Sequence, residues 1–193
     1  DGVGPRYTSY PTAPQFNLQF DGKAFINAIK DSNQDPIPRA LSLYAHIPFC
    51  FSPCFYCGCN RIITRDEAKK QAYLEHLLKE IELIAPYFDS DREVVQLHLG
   101  GGTPNSLNTG QLAQLIRKFS ESFRFAPENE REFSIEIDPR TVSAGDVAAL
   151  RAMGFNRVSL GIQDFDADVQ QAINRHQDIG KITDIFEACK SNG

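Results

Sequence analysis

Four of the chain's five cysteines fall within ten residues, in the run Cys50-Phe51-Ser52-Pro53-Cys54-Phe55-Tyr56-Cys57-Gly58-Cys59. A secreted disulfide scaffold would spread its cysteines along the chain, so this clustering points to metal binding in a reducing compartment. Cys50, Cys54 and Cys57, spaced by three and then two residues, put three thiolates into one tight loop. Thiolates hold iron–sulfur clusters, and a four-iron cluster with only three of them keeps one iron open for a further ligand. Catalytic zinc sites keep an open position in the same way. Two plainer chemistries use the same residues. One is a structural zinc site with Cys59 or His46 as fourth ligand, and the other an electron-transfer cluster completed by Cys59. Phe51, Phe55 and Tyr56 weigh against zinc, because a hydrophobic shell excludes solvent from a redox cluster. The spacing by itself leaves all three readings open.

Further chemistry-bearing residues sit on or after short alternating segments. Gly100-Gly101-Gly102-Thr103-Pro104 is a glycine run whose missing side chains let backbone come close to a ligand. Tyr44, His46, His98, Glu136 and Gln163 all occupy the polar phase of an alternating segment. Of these, His46 and His98 read as supporting or core residues rather than ligands.

Those segments are strands. Leu41, Leu43, Ala45 and Ile47 alternate with Ser42, Tyr44 and His46; Val95, Leu97 and Leu99 alternate with Gln96 and His98. Phe133, Ile135 and Ile137 alternate with Ser134, Glu136 and Asp138, and Val158, Leu160 and Ile162 with Ser159, Gly161 and Gln163. Helical stripes lie between them. Thr64 and Glu67 form a capping-box pair before Leu74, Leu77, Leu78, Ile81 and Ile84. Thr109 caps a second helix carrying Leu112, Leu115, Ile116 and Phe119. Ser143 opens a third with Val147 and Leu150, and Gly154 suits its end. A fourth runs from Ile182 to Lys190, with Cys189 on its apolar stripe.

Strand–helix repetition with right-handed crossovers predicts a parallel sheet. Parallel strands buried on both faces read as continuous apolar runs, and these do not. The expected fold is therefore α/β: a curved parallel sheet with helices outside and a polar, ligand-holding interior, part of a (β/α) barrel. A flat α/β sheet with an exposed polar face is the alternative. The cysteine loop follows the first strand, at the strand end where barrel enzymes place their active sites.

The chain is 193 residues long, against about 250 for a complete eight-stranded barrel. The expectation is an incomplete barrel over residues 41–193, truncated after about four βα units. Residues 1–40 carry Pro5, Pro11, Pro14, Pro36 and Pro38, and read as an extended N-terminal arm with one short helix around Lys23 to Lys30. A composition of 41% hydrophobic and 23% charged residues is that of an ordinary soluble protein. A net charge of −5 argues against general nucleic-acid binding. No apolar run approaches the length of a membrane helix, and Asp1 to Tyr10 lack the basic start and apolar stretch of a secretory leader. The expected location is cytoplasmic.

The Cys-x3-Cys-x2-Cys spacing, with Tyr56 before the last cysteine and the glycine run after the second strand, resembles the signature of the radical S-adenosylmethionine (radical SAM) superfamily. Within it, the chain from Gly4 to about Cys189 is similar to the oxygen-independent coproporphyrinogen III oxidase family of haem (porphyrin) biosynthesis. The resemblance rests on Gly4-Pro5-Arg6-Tyr7-Thr8-Ser9-Tyr10-Pro11-Thr12, Tyr44-Ala45-His46-Ile47-Pro48-Phe49, Cys57-Gly58-Cys59-Asn60, Ser134-Ile135-Glu136-Ile137-Asp138-Pro139, Gly161-Ile162-Gln163-Asp164-Phe165 and Asn174-Arg175.

The resemblance implies an oxidoreductase with a 4Fe-4S cluster on Cys50, Cys54 and Cys57 and two molecules of S-adenosyl-L-methionine. It implies that the open iron binds the methionine moiety, whose reductive cleavage gives a radical that takes hydrogen from a propionate of coproporphyrinogen III. Loss of carbon dioxide, twice over, leaves the vinyl groups of protoporphyrinogen IX. Tyr44, Tyr56, Gly101, Gly102, Thr103 and Glu136 are implied cofactor contacts; Gln163 and Arg175 match positions near a second S-adenosylmethionine. Cys59 and Tyr44 are implied to take part in catalysis, with Cys59 handling substrate. Arg6 and Tyr7 belong to an arm expected to reach the site when substrate binds. An unidentified reductant and electron acceptor are implied partners, and a monomer is expected. A haem chaperone of the same superfamily would lack both the Arg6-to-Thr12 arm and Cys59. Because the family's barrel needs more strands, the 193-residue chain alone is expected to be inactive.

Overall fold

A computed structural model describes residues 15–17, 19–37 and 39–193. The Gly4-to-Thr12 segment, with Arg6 and Tyr7, lies outside the described residues. Four strands in the order β1 (Leu41–Ile47), β4 (Glu93–Gly101), β6 (Glu132–Ile137) and β7 (Arg157–Leu160) pair in parallel, with the short β5 (Arg124–Phe125) beside the start of β4. Two-residue strands β2 (Phe49–Cys50) and β3 (Ile62–Ile63) form a separate parallel pair.

The crossovers are helices α2 (Glu67–Ile84), α3 (Thr109–Ser122) and α4 (Ala144–Ala152), followed after β7 by α5 (Ala167–Ala172) and α6 (Ile179–Ser191). Their stripes, Leu74 and Ile81 on α2, Leu112, Leu115 and Phe119 on α3, Val147 and Leu150 on α4, are buried with Ala45, Ile47, Leu97, Leu99, Phe133 and Ile135 in one core cluster. In β1, β4 and β6 the strand phase predicted to be apolar thus lies under the helices, where burial removes it from water; in β7, at the end of the strand order, Val158 is exposed and Leu160 only partly buried. The other phase faces away: Tyr44 is 58% exposed. In register, Tyr44 lies opposite His98, His98 opposite Ser134, and Glu136 opposite Ser159. The polar residues therefore form rows across one face, as in part of a (β/α) barrel.

An N-terminal helix, α1 (Gly22–Asn33), extends beyond the predicted Lys23-to-Lys30 span at both ends. Buried Arg92 ties it to the start of β4, donating to Ser32 Oγ and Asn33 Oδ1, each at 2.8 Å.

Four local expectations need correction. The cap of α2 is Asp66, whose carboxylate accepts from the amides of Ala68 and Lys69; the Thr64 hydroxyl instead accepts from Asp66 N. Thr64 is committed earlier, because its own amide donates to Cys50 O beside β3. The cap of α3 is Asn108, in a capping box with Gln111, and Thr109 is the first helical residue. A register shift at the start of the β1–β4 pair puts Val94, rather than Val95, into the core. The last strand ends at Leu160, short of Gln163, which adopts φ 73°, a left-handed conformation that does not continue a strand. The Ser143 cap, with Asp146, and the positive φ of Gly154 agree with the expectation.

Candidate active site

The cysteine loop leaves β1 through Pro48 and is tied at both ends. Ile62 N donates to Pro48 O at 2.7 Å and Thr64 N to Cys50 O at 3.0 Å, so β3 closes the loop against β2. Inside it, Cys57 N donates to Cys54 O at 3.2 Å. On its far side Phe55 N donates to Ile173 O at 3.1 Å, and Asn174 Nδ2 to Pro53 O at 2.7 Å.

The glycine run packs directly on this loop. Gly102 N donates to Ile47 O and Thr103 N to Phe49 O, at 2.9 and 2.8 Å. A Cβ on Gly102 would sit 2.7 Å from Pro48 O, so backbone meets backbone there. Gly101 has φ 117°, a conformation suited to glycine, and a Cβ on it would strike the His46 ring. The run is therefore needed to seat the cysteine loop as well as to admit a ligand.

One cavity of about 280 Å³ opens between the loop and the sheet's polar face. Cys50, Cys54, Cys57 and Cys59 line one side of it, with Tyr56 beside them. Gly101, Gly102 and Thr103 come from the end of β4, Glu136 from β6, and Gln163 and Arg175 from beyond β7. Tyr44 does not line it. Its ring stacks on His98 with centroids 5.7 Å apart, and its hydroxyl shares a 3.0 Å hydrogen bond with His46 Nδ1. His98 in turn faces Glu136 Oε1 at 3.4 Å and Ser134 Oγ at 2.7 Å, so both histidines support the polar face. Glu136 Oε2 accepts from Gly101 N at 3.2 Å, which joins β6 to the glycine run.

The cysteines differ in surroundings. Cys50 and Cys54 are buried, Cys57 is half-buried and Cys59 exposed. Burial pushes the Cys50 thiol up, while the Thr103 hydroxyl, 3.4 Å from its sulfur, acts in the opposite direction. Burial, followed by the hydrogen bond with Cys57, also pushes the Cys59 thiol up.

Arg175 is only 7% exposed, so its guanidinium belongs to the site and not to the surface. Three charged lining residues were not singled out as site residues: Arg61, Asp138 and Arg140. Arg140 grips Asp138 through Nη2–Oδ2 at 2.6 Å and Nε–Oδ1 at 3.0 Å. Burial raises the Asp138 carboxyl, but the Arg140 hydrogen bonds and the charges of Arg175 and Arg140 outweigh it and hold the group below the ordinary carboxylate range. Asp138 was visible as a polar-phase residue ending its strand; for Arg61 and Arg140 there was only adjacency in sequence to Asn60 and Pro139.

The donor set suits a polynuclear cluster. Cys50, Cys54 and Cys57 line one cavity together, and thiolates are the ligands that iron–sulfur clusters take. Phe51 and Tyr56 add an apolar wall.

Residues 44–193 match the Radical SAM superfamily, and the chain belongs to it. That membership carries a 4Fe-4S cluster and S-adenosylmethionine as cofactors. The chain is similar to oxygen-independent coproporphyrinogen III oxidases. It is 44% identical to that of Pseudomonas aeruginosa over 191 residues, 99% of this chain and 41% of the relative. To that of Escherichia coli it is 48% identical over 175 residues, 91% and 37% of the two chains. To that of Synechocystis it is 50% identical over 173 residues, 90% and 36%. Among solved structures, coproporphyrinogen III oxidase from Escherichia coli, described as a radical SAM enzyme, superposes with a TM-score of 0.89 at 45% identity, over 97% of this chain and 42% of that one. The chain thus spans about two fifths of the length of the relatives it matches. The partial (β/α) barrel expected from the strand pattern is the fold they share.

Proposed function

We propose that Cys50, Cys54 and Cys57 hold the cluster, and that the whole protein is an oxygen-independent coproporphyrinogen III oxidase. The observation that carries this reading is the meeting, around one cavity, of the three spaced cysteines with Gly101, Gly102, Thr103, Glu136, Gln163 and Arg175. When bound, the cluster and S-adenosylmethionine supply a carbon radical able to take a hydrogen atom from an unactivated C–H bond. Each of two propionate side chains would lose that hydrogen atom, carbon dioxide and one further electron to become a vinyl group. A reductant and an electron acceptor are therefore required partners.

The chain's residues bind, orient and shield. The backbone of Gly101 to Thr103, hydrogen-bonded to the segment that leads into the cysteine loop, would border a ligand held beside Cys50, Cys54 and Cys57. Glu136, already an acceptor for Gly101 N, offers its other oxygen lone pairs to a ribose or amino group. Tyr44 acts from behind, holding His98 and thereby the Glu136 carboxylate. Gln163 and Arg175 also line the cavity and are proposed to meet a second S-adenosylmethionine. Cys59, the exposed member of the four loop cysteines, is proposed to meet substrate rather than iron. Phe51 and Tyr56 keep water from the cluster.

By themselves these residues are proposed to hold the cofactors without turnover, since they span about two fifths of the relatives. The test is an anaerobic assay of coproporphyrinogen III with the whole protein, its Cys54→Ser variant and the 193-residue chain alone. Carbon dioxide and protoporphyrinogen IX from the first alone are expected. A fully loaded whole protein that leaves the substrate untouched would overturn the assignment, and enzyme-like turnover by the short chain would overturn the second part.

A further inference from the structure

Arg175 has its planar fork divided between two tasks. Nε and Nη2 both donate to Gly161 O, at 2.9 and 2.6 Å, which fixes the plane of the guanidinium. Nη1 then points at Cys54 Sγ, 3.3 Å away, a hydrogen bond across 121 residues of sequence. Gly161 permits this approach, because a Cβ there would lie 2.7 Å from Nη2. The neighbouring backbone prevents drift. Ile173 O and Asn174 Nδ2 bind Phe55 N and Pro53 O on either side of Cys54, and Asn174 holds φ 54°, a left-handed conformation that asparagine tolerates.

The charge is not cancelled locally. Asp138 Oδ1 lies 3.4 Å from Arg175 Nη2, but the same carboxylate is gripped by Arg140 through three contacts of 2.6 to 3.1 Å. Two arginines thus share one buried carboxylate, and a net positive charge remains beside Cys54. A hydrogen bond and a positive charge at a ligating thiolate both favour the reduced, more negative state of an iron–sulfur cluster.

We propose that Arg175 is a positioning residue for the cluster, holding the Cys54 thiolate in a hydrogen bond that raises the cluster's reduction potential. This rests on the reading of Cys50, Cys54 and Cys57 as cluster ligands. It is separate from any contact Arg175 makes to a second cofactor. Arginine suits the role better than lysine, since only its fork can bind Gly161 O and a thiolate together.

The test is redox titration of the anaerobically reconstituted full-length protein, followed by EPR, without S-adenosylmethionine so that cofactor contacts cannot contribute. Iron and sulfide content are measured in parallel for the unaltered protein, Arg175→Lys and Arg175→Met. The expected midpoint potentials fall in that order, the methionine variant lowest, at equal iron content. Equal potentials at equal iron content overturn the proposal. Should the methionine variant load poorly, the lysine variant decides: a lowered potential supports the proposal and an unchanged one contradicts it. In unaltered protein carrying 15N-arginine, hyperfine coupling from a guanidinium nitrogen to the reduced cluster is also expected, and its absence contradicts the hydrogen bond. An unaltered protein that binds no iron would instead overturn the parent reading.

Discussion

At the scale of single residues, the site depends on positions that leave no room for variation. Gly102 sits against the backbone of Pro48 and Phe49, where a methyl group would come within 2.7 to 2.9 Å. Neither backbone segment can retreat, because each is hydrogen-bonded to the glycine run or to β3. Gly102→Ala is expected to lose about 1–3 kcal/mol of stability in urea unfolding, as overpacked sites do. Asp138 makes a prediction of a different kind. Its carboxyl is held below the ordinary range, so its ionised form stabilises the fold above about pH 4 and that contribution is lost as pH falls through the folded value. Asp138→Asn leaves Arg175 and Arg140 facing a neutral amide, at a cost of about 2–3 kcal/mol at pH 7. The gap between the two proteins should close on acidification below about pH 4, measured by thermal unfolding across pH. The cysteines and Glu136 were legible in sequence because their type and spacing, or their phase on a strand, are local facts. Arg140 was not, because a salt bridge to Asp138 two residues away has no periodic signature.

Secondary-structure elements carry the loops, and their ends decide where the loops begin. The apolar stripes of α2, α3 and α4 could be read directly, since a buried helix face repeats every three or four residues. Caps were harder. The Thr64–Glu67 pair has the spacing of a capping box, yet the adjacent Asp66 offers a carboxylate to two amides at once. Thr109 lies beside Asn108, whose side chain reaches Gln111 N while Gln111 returns the bond. Asn108→Ala should therefore cost about 1 kcal/mol in chemical denaturation, and Thr109→Ala less than about 0.5 kcal/mol. The reverse order would restore Thr109 as the cap. The short elements escaped notice for a related reason. Two-residue strands such as β2 and β3, and a single helical turn and a half such as α5, are too brief for periodicity to register.

For the whole molecule, what matters is a sheet whose two faces do different work. One face is sealed under α2, α3 and α4; the other carries Tyr44, His98, Glu136 and Ser159, of which Glu136 and Ser159 line the cavity beside the cysteine loop. That division was legible from strict alternation in the strands, where fully buried parallel strands would have been apolar throughout. The closure of the cysteine loop by Ile173, Asn174 and Arg175 was not, because it joins segments 121 residues apart that only tertiary packing brings together. Cys50, Cys54 and Cys57 are proposed to carry a four-iron cluster with one iron open to S-adenosylmethionine. Anaerobic reconstitution with iron and sulfide, then EPR of the reduced protein with and without S-adenosylmethionine, tests it most directly. About four irons per chain and a spectrum that changes when the cofactor is added are expected. Bound zinc in place of iron, or a cluster whose spectrum ignores the cofactor, would contradict it.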